Sequence, residues 1–169
     1  MQYPMISAVA GSTAGALLAL ERQVRRDGSG IRTEQLPGCW VLQQTWTRQG
    51  DAPAPGSATM LRWLKACLIL NRGDQGLTIV NQVSLLGFLL RFSGSAHLRG
   101  TRPLLMFSFS TLEVCWADQV LLRRPLPDPS SKRLPFFALI ELNEPEGRLT
   151  ARGRGGGLAL WSRMKEEST

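Results

Sequence analysis

Three observations predict a small antiparallel β-barrel of about eight strands with one N-terminal α-helix. Apolar and polar residues alternate through most of the chain, as in strands that bury one face. A Pro-Gly turn at residues 37–38 opens a strand, and a Gly-rich hairpin spans residues 149–163. No alternation of strands with helices appears, which argues against α/β folds. If the first and last strands pair, the sheet closes and loses its exposed edges.

A helix is predicted ahead of the sheet over residues 5–26, with its firm part at residues 14–26. Glu21 can pair with Arg25 one turn later. The apolar positions follow helical spacing: Val9, Leu17, Leu20 and Val24. A cationic patch follows the apolar positions, which suits an anionic membrane leaflet, and packing of the same helix on the barrel is the equally open alternative.

Strands account for most of the remaining chain. They are predicted over residues 39–47, 77–85, 88–99, 105–110, 113–122, 136–142, 149–154 and 158–163. Residues 60–70 fit either a helix or a buried strand, and both readings stay open. Residues 49–57 and 123–135 predict loops, the second because it holds four prolines.

The chain of 169 residues is the size of one domain. We divide it into a helix and linker at residues 1–35, a barrel domain at residues 36–163 and a polar tail at residues 164–169. No apolar run reaches the roughly 20 residues of a membrane-spanning helix. The most apolar stretch, residues 6–20, has its arginines after it, unlike a secretory signal. We expect a protein that is neither secreted nor transmembrane, but cytoplasmic or peripheral to a membrane.

One strand indicates where a ligand would lie. Its inward row runs from bulky to small: Phe88, Leu90, Phe92, Gly94, Ala96 and Leu98. Small inward residues are expected to leave volume, and volume lined by Phe and Leu fits an isoprenoid or acyl tail. The predicted lining residues are Trp40, Phe88, Leu90, Phe92, Ala96, Leu105 and Phe107. Trp40 is expected to plug one end of the barrel, and a fully packed interior remains the alternative.

Basic residues outnumber acidic ones by 20 to 13, which leaves a formal charge of +7, and only three of the basic residues are lysines. Such a surface attracts anionic membranes, nucleic acid or acidic protein patches, and composition does not choose among them. The arginines predicted to face a membrane or another anion lie in the helix and the last hairpin: Arg22, Arg25, Arg26, Arg152 and Arg154.

Residues typical of catalysis or metal binding are sparse. His97 is the one histidine, and it lies on the polar side of its strand. Cys39, Cys67 and Cys115 are odd in number and contain no Cys-x-x-Cys, so neither a disulfide framework nor a zinc site is expected. Residues 152–157 lack the Gly-Lys-Ser/Thr ending of a P-loop. We expect no enzyme activity, no metal and no cofactor.

Two motifs at opposite ends of the barrel domain carry a family resemblance. The first has the spacing Leu-x-Gly-x-Trp-x-Leu and consists of Leu36, Gly38, Trp40 and Leu42. The second has the spacing Arg-Gly-x-x-Gly-x-Leu and consists of Arg152, Gly153, Gly156 and Leu158. Asn81 lies between them in an apolar strand. With these residues the chain resembles the plastid lipid-associated protein (fibrillin) family, of the cyanobacterial type.

The resemblance implies a lipocalin-like barrel that binds apolar lipids without catalysis. Prenylquinones, carotenoids and acyl lipids are the implied ligands, and thylakoid membranes or plastoglobules of photosynthetic cells are the implied place. Two other classes stay open. One is an assembly or interaction factor of the same fold, which binds a pigment protein or a partner enzyme. The other is an Arg-driven nucleic-acid binder, which ranks third because the arginines are scattered and the aromatic residues lie on apolar faces.

Overall fold

The alternating segments form antiparallel strands in a computed structural model that describes residues 14–48, 65–74, 76–117, 119–128 and 134–164. These residues contain one α-helix, one 3₁₀ turn and nine strands. Their bounds are α1 Ala14–Asp27, the 3₁₀ turn Thr33–Gln35, β1 Gly38–Trp46, β2 Lys65–Gly73, β3 Gly76–Leu85, β4 Phe88–Arg99, β5 Leu104–Trp116, β6 Gln119–Pro125, β7 Phe136–Asn143, β8 Arg148–Gly153 and β9 Leu158–Arg163.

Eight of these strands form a ring in the order β1-β2-β3-β4-β5-β7-β8-β9. The ring closes because β1 pairs antiparallel with β9, as Trp46 opposite Leu158 illustrates, and β4 pairs with β5 along its whole length. The first and last strands therefore pair, which meets the condition for the predicted barrel. The protein is mainly β, with a barrel-like antiparallel sheet and an N-terminal helix, and it fits the lipocalin-like architecture.

β6, the strand outside the ring of eight, corrects two predictions. Residues 113–122 do not form one strand. β5 continues to Trp116, and β6 then runs antiparallel beside residues 111–116 of β5. The predicted loop at residues 123–135 is wrong at its start, because residues 123–125 belong to β6. β7 pairs with only three residues of β5, so β6 takes the remaining edge of that strand.

Residues 65–70 settle the ambiguous segment in favour of a strand, because they pair residue by residue with β3. The firm part of the predicted helix, residues 14–26, corresponds to α1. Several predicted features lie outside the described residues: residues 5–13 and 60–64, the loop at 49–57 and most of the polar tail.

One end of the barrel, here called the Trp40 end, is filled by fully buried side chains. Trp40 is completely inaccessible, as its predicted plugging role requires. Its indole Nε1 donates a hydrogen bond of 2.9 Å to the Leu36 carbonyl, and the Arg163 guanidinium lies 4.5 Å from its ring centroid. Leu70, Leu105 and Leu149 pack in the same cluster.

The helix packs on the outside of the barrel wall. Leu17 and Val24 of α1 are buried in a second cluster with residues of the sheet's outer face: Trp46, Ile140, Leu158 and Leu160. The outer position follows from alternation, since Trp161 faces the interior and its neighbour Leu160 faces α1. Of the two open readings of the helix, the structure therefore favours packing, and the helix side that remains exposed carries Arg22 and Arg26.

Candidate functional site: an interior cavity and an arginine cleft

An apolar cavity of about 270 Å³ lies inside the barrel. β2 and β3 line one side of it, and β5, β7 and β9 line the other. The apolar lining includes Leu68, Ile79, Val83, Phe107, Phe109 and Trp161. Asn81 supplies the one side-chain amide among the lining residues. A cavity of this composition favours hydrocarbon over water, because a water molecule needs two or more polar partners.

The seven predicted lining residues divide into three groups. Phe107 lines the cavity, while Trp40, Ala96 and Leu105 lie in the packed core at the Trp40 end. Phe92 belongs with Phe107, because its ring centroid lies 5.6 Å from that of the cavity residue Phe109.

The third group, Phe88 and Leu90, lies at the far end of β4, which we call the Phe88 end. Their side chains are 45% and 38% exposed. The predicted row therefore runs along one wall of the barrel, and only its middle borders the cavity.

The expectation that Gly94 leaves free volume is wrong. A Cβ built on Gly94 would lie 1.8 Å from the backbone oxygen of Ser108. β5 carries an extra residue here, since Ser93 pairs with Thr111 and Gly94 pairs with Phe109. The resulting bulge brings the β5 backbone against Gly94, so glycine is required by the close approach. The cavity lies instead beside two small residues of other strands, Ala66 and Ala159.

Large apolar side chains are exposed at the Phe88 end, and we call them the apolar strip. They belong to the β3–β4 turn, the β5–β6 turn and the strands beside them: Leu85, Leu86, Phe88, Leu90, Trp116, Val120, Leu121 and Leu122. The ring centroids of Phe88 and Trp116 lie 4.3 Å apart. Exposed apolar groups gathered in this way mark a contact with lipid, ligand or protein. The apolar residues of Leu85–Leu90 are visible in the sequence, whereas the prediction of one strand over residues 113–122 hides the β5–β6 turn that exposes the others.

On the outer face of the barrel, α1, β7 and the β8–β9 turn enclose a cleft of about 800 Å³, here called the arginine cleft. Four of the five arginines predicted to face an anion line it together: Arg22, Arg25, Arg152 and Arg154. Arg26 is exposed but does not line it. Arg48 and Arg102 also line the cleft, and sequence analysis missed them because they lie in separate loops without any shared pattern.

Arg152, one of the arginines predicted to face a membrane or another anion, has a side chain that is only 14% exposed. Its Nε and Nη2 atoms donate to the Glu21 carboxylate at 2.7 and 2.6 Å, and Arg25 donates to the same carboxylate at 2.9 Å. The Arg152 Nη1 donates to the carbonyls of Gly156 and Arg48. Burial of Glu21 opposes its ionisation, but the hydrogen bonds and charges of Arg152 and Arg25 outweigh that effect and lower its pKa.

Two of the cysteines meet across neighbouring strands. The Sγ atoms of Cys39 in β1 and Cys67 in β2 lie 2.7 Å apart, and both residues are free thiols. Burial, together with the contact to Cys39, raises the pKa of the Cys67 thiol to about 12. Cys115 is buried in β5. Cys67 is therefore a protonated thiol of low reactivity at neutral pH.

His97 lies on the surface, and the buried carboxylate Glu113 lies in ion pairs. His97 is exposed on the outer face of β4, the side on which its sequence pattern placed it. Glu113 binds Arg123 at 2.6 Å and Arg91 at 3.3 Å. The hydrogen bond from Arg123 is the main reason why the pKa of Glu113 is lowered.

Within the described ranges, no three metal-ligating side chains cluster. Nor does the described part of the chain contain a helix that is long and apolar enough to span a bilayer. The chain matches no family model and no curated protein. The cavity, the apolar strip and the arginine cleft are therefore the features from which function is inferred.

Proposed function

We propose that this protein binds the apolar tail of a lipid inside its barrel, without catalysis, at or near photosynthetic membranes. The observation that carries the proposal is the apolar cavity of about 270 Å³ between β2, β3 and the strands opposite. The ligand classes are those of the plastid lipid-associated (fibrillin) family that the two end motifs resemble: a prenylquinone, a carotenoid or an acyl lipid.

The size of the cavity limits how much ligand it holds. Small-molecule pockets commonly enclose about 300–1,000 Å³, so a cavity of this size accepts one tail or part of one. Each methylene group removed from water contributes about 0.8 kcal/mol, which makes a tail an effective anchor. The rest of the molecule would lie along the wall formed by β4 and β5 towards the apolar strip.

Phe92 and Phe109 connect the cavity with that wall. Their rings are in contact, and Phe92 follows the exposed Leu90 on the same face of β4. A tail that enters from a lipid phase at the Phe88 end would remain in contact with apolar side chains throughout. Trp116 in the strip favours the membrane interface, where aromatic residues with one polar group are enriched. We propose peripheral contact with a membrane on this basis.

Asn81 is the residue best suited to choose among lipid classes. Its amide is placed in a lining that is otherwise apolar, and it can donate a hydrogen bond to a quinone or ester carbonyl. A pure hydrocarbon leaves this amide without a partner, which opposes binding. We therefore expect a quinone or an acyl ester to bind more tightly than a carotene.

A second function, as an assembly or interaction factor, is favoured by β6. All seven residues of β6 are exposed, and the strand ends the sheet with one edge unpaired among the described strands. Such an edge can pair with an extended segment of a partner protein. Lipid uptake by the purified chain alone discriminates between the two functions.

The test is native mass spectrometry with organic extraction of the protein purified from a photosynthetic host, followed by titration with a prenylquinone. Phe92→Arg places a charge beside the cavity and should abolish uptake. Ser95→Arg is the matched control, because it adds the same charge to the outer face of the same strand, where Ser95 is exposed. We expect the control to bind like the wild type.

Near one-to-one lipid with the wild type and the control, but not with folded Phe92→Arg, supports the proposal. Wild-type affinity in folded Phe92→Arg would show that this wall is not the binding site. A wild-type protein that carries no lipid and takes up none would overturn lipid binding and leave the interaction factor as the function.

A further inference from the structure

We propose that the arginine cleft is a binding site for a phosphate group, supplied by a lipid headgroup or by a free phosphate ester. The site is separate from the cavity because it lies on the other side of the barrel wall. Phe136 and Ala138 of β7 line the cleft, whereas their neighbours Phe137 and Leu139 pack in the interior. The inference therefore does not depend on the proposed lipid tail.

The charge of the cleft is the first argument. Among the described residues, six arginines and one glutamate line it, so that formal positive charges outnumber negative ones on this part of one concave surface. A purely structural ion-pair network would balance its arginines with carboxylates, and Glu21 is the one carboxylate among the lining residues that the structure describes. Clefts lined by charges of one sign focus the electric field and concentrate counter-ions of the opposite sign.

The distribution of hydrogen bonds is the second argument. Glu21 already forms ion pairs with Arg152 and Arg25, so its negative charge is balanced by these two residues. Arg22, Arg48 and Arg102 form no ion pair with any carboxylate of the described residues. Their guanidinium groups present planar sets of donors that match the geometry of phosphate oxygens.

The shape of the cleft extends the inference to the rest of the ligand. Its volume of about 800 Å³ exceeds what a bare phosphate fills. Leu18, Leu104, Phe136 and Ala138 provide apolar surface between the arginines. A second cleft of about 470 Å³ adjoins it, shares Leu104 and Phe136, and adds Arg99. A phosphate ester with an apolar or uncharged body fits this arrangement, whether it is a phospholipid headgroup or a soluble ester.

The walls are held in place before any ligand arrives. The ion pair between Glu21 and Arg152 joins α1 to the last hairpin. Gly156 has a φ of +90°, and a Cβ there would lie 2.8 Å from the side chain of Arg48, so the hairpin turn supports that arginine closely. A preformed site spends little binding free energy on ordering its residues.

The experiment uses the full chain and three probes. Vesicles of phosphatidylcholine with 30 mol% phosphatidylglycerol, measured against pure phosphatidylcholine by flotation, test the lipid source. Glycerol phosphate and inorganic pyrophosphate, measured by calorimetry, test the soluble source. A single-stranded oligonucleotide tests the alternative of a nucleic-acid backbone.

Two double variants with equal loss of charge separate the cleft from general basicity. Arg48→Gln with Arg102→Gln removes two cleft arginines that have no described ion pair. Arg32→Gln with Arg72→Gln removes two exposed arginines that lie outside the cleft and outside the predicted anion-facing set. Because charge-assisted contacts to phosphate are strong and directional, we expect the cleft variant to lose affinity by about tenfold or more relative to the control. Unchanged circular dichroism and melting temperature of both variants establish that they are folded.

Each outcome decides the proposal. Cleft-dependent binding of vesicles alone assigns a lipid headgroup, and cleft-dependent binding of the soluble esters assigns a free phosphate source. Equal losses in the two variants would overturn the proposal in favour of nonspecific attraction. Absence of binding to every phosphate probe, or cleft-dependent binding of the oligonucleotide alone, would overturn it as well.

Discussion

Glu21→Gln tests the junction between the helix and the barrel while it conserves the shape of the side chain. In the wild type, the two Glu21 oxygens accept three hydrogen bonds, two of them from Arg152 at 2.6 and 2.7 Å. The side chains are 7% and 14% exposed, so water screens the pair poorly. The glutamine removes the negative charge and one acceptor, and it leaves the Arg152 cation buried without its counter-ion.

Removal of one partner from a buried ion pair commonly costs about 3–5 kcal/mol. The glutamine keeps one acceptor oxygen and Arg152 is not completely buried, so we expect a loss near the lower end, about 3 kcal/mol. For a domain of this length, that loss lowers Tm by roughly 6–12 °C. The measurement is urea unfolding together with a thermal scan at pH 7.

A double-mutant cycle with Arg152→Gln isolates the pair itself. Because each single variant leaves the other charge unpaired, we expect the double variant to lose less than the sum of the two singles. A Glu21→Gln loss below about 0.5 kcal/mol would refute the reasoning, since solvent-exposed pairs contribute that little.

The pH dependence gives an independent check on Glu21. Its pKa in the folded protein lies below the ordinary value of 4.5. The carboxylate therefore stabilises the fold fully above that ordinary value, and its contribution disappears as the pH falls through the lower folded pKa. The difference in unfolding free energy between the wild type and Glu21→Gln should narrow below pH 4.5. A difference that stays constant through the acid range would contradict the assignment.

Two further predictions concern β4 and the cysteines. Gly94→Ala places a Cβ against the Ser108 carbonyl and should lower the free energy of unfolding in urea by about 3 kcal/mol. Gly155→Ala is the control, because no atom lies within 4 Å of a Cβ at that position, and it should leave the stability nearly unchanged. Equal stability of the two variants would contradict the bulge at Gly94. With a pKa of about 12, Cys67 should be alkylated by iodoacetamide at pH 8 far more slowly in the folded than in the unfolded protein, which peptide mass spectrometry measures. Labelling of Cys67 at the same rate in both states would show that the thiol is not protected.

Features that depend on local spacing were predictable from the sequence. Alternation marked most of the strands, because a strand with one buried face must repeat every two residues. Glycines marked the last hairpin, and apolar spacing with the Glu21–Arg25 pair located the firm part of α1. Closure into a barrel was expected on the condition that the first and last strands pair, since such a pairing removes the exposed edges of the sheet.

Tertiary structure decided what depends on residues distant in sequence. Residues 65–70 became a strand through their pairing with β3, and β6 exists because β7 leaves most of the β5 edge free. The space at Gly94 is filled by a backbone from another strand, and four predicted arginines meet two unpredicted ones in a single cleft. The residues of one segment do not indicate which other segment packs against it. The volume of the cavity and the clustering of the arginines are therefore defined only when the barrel closes.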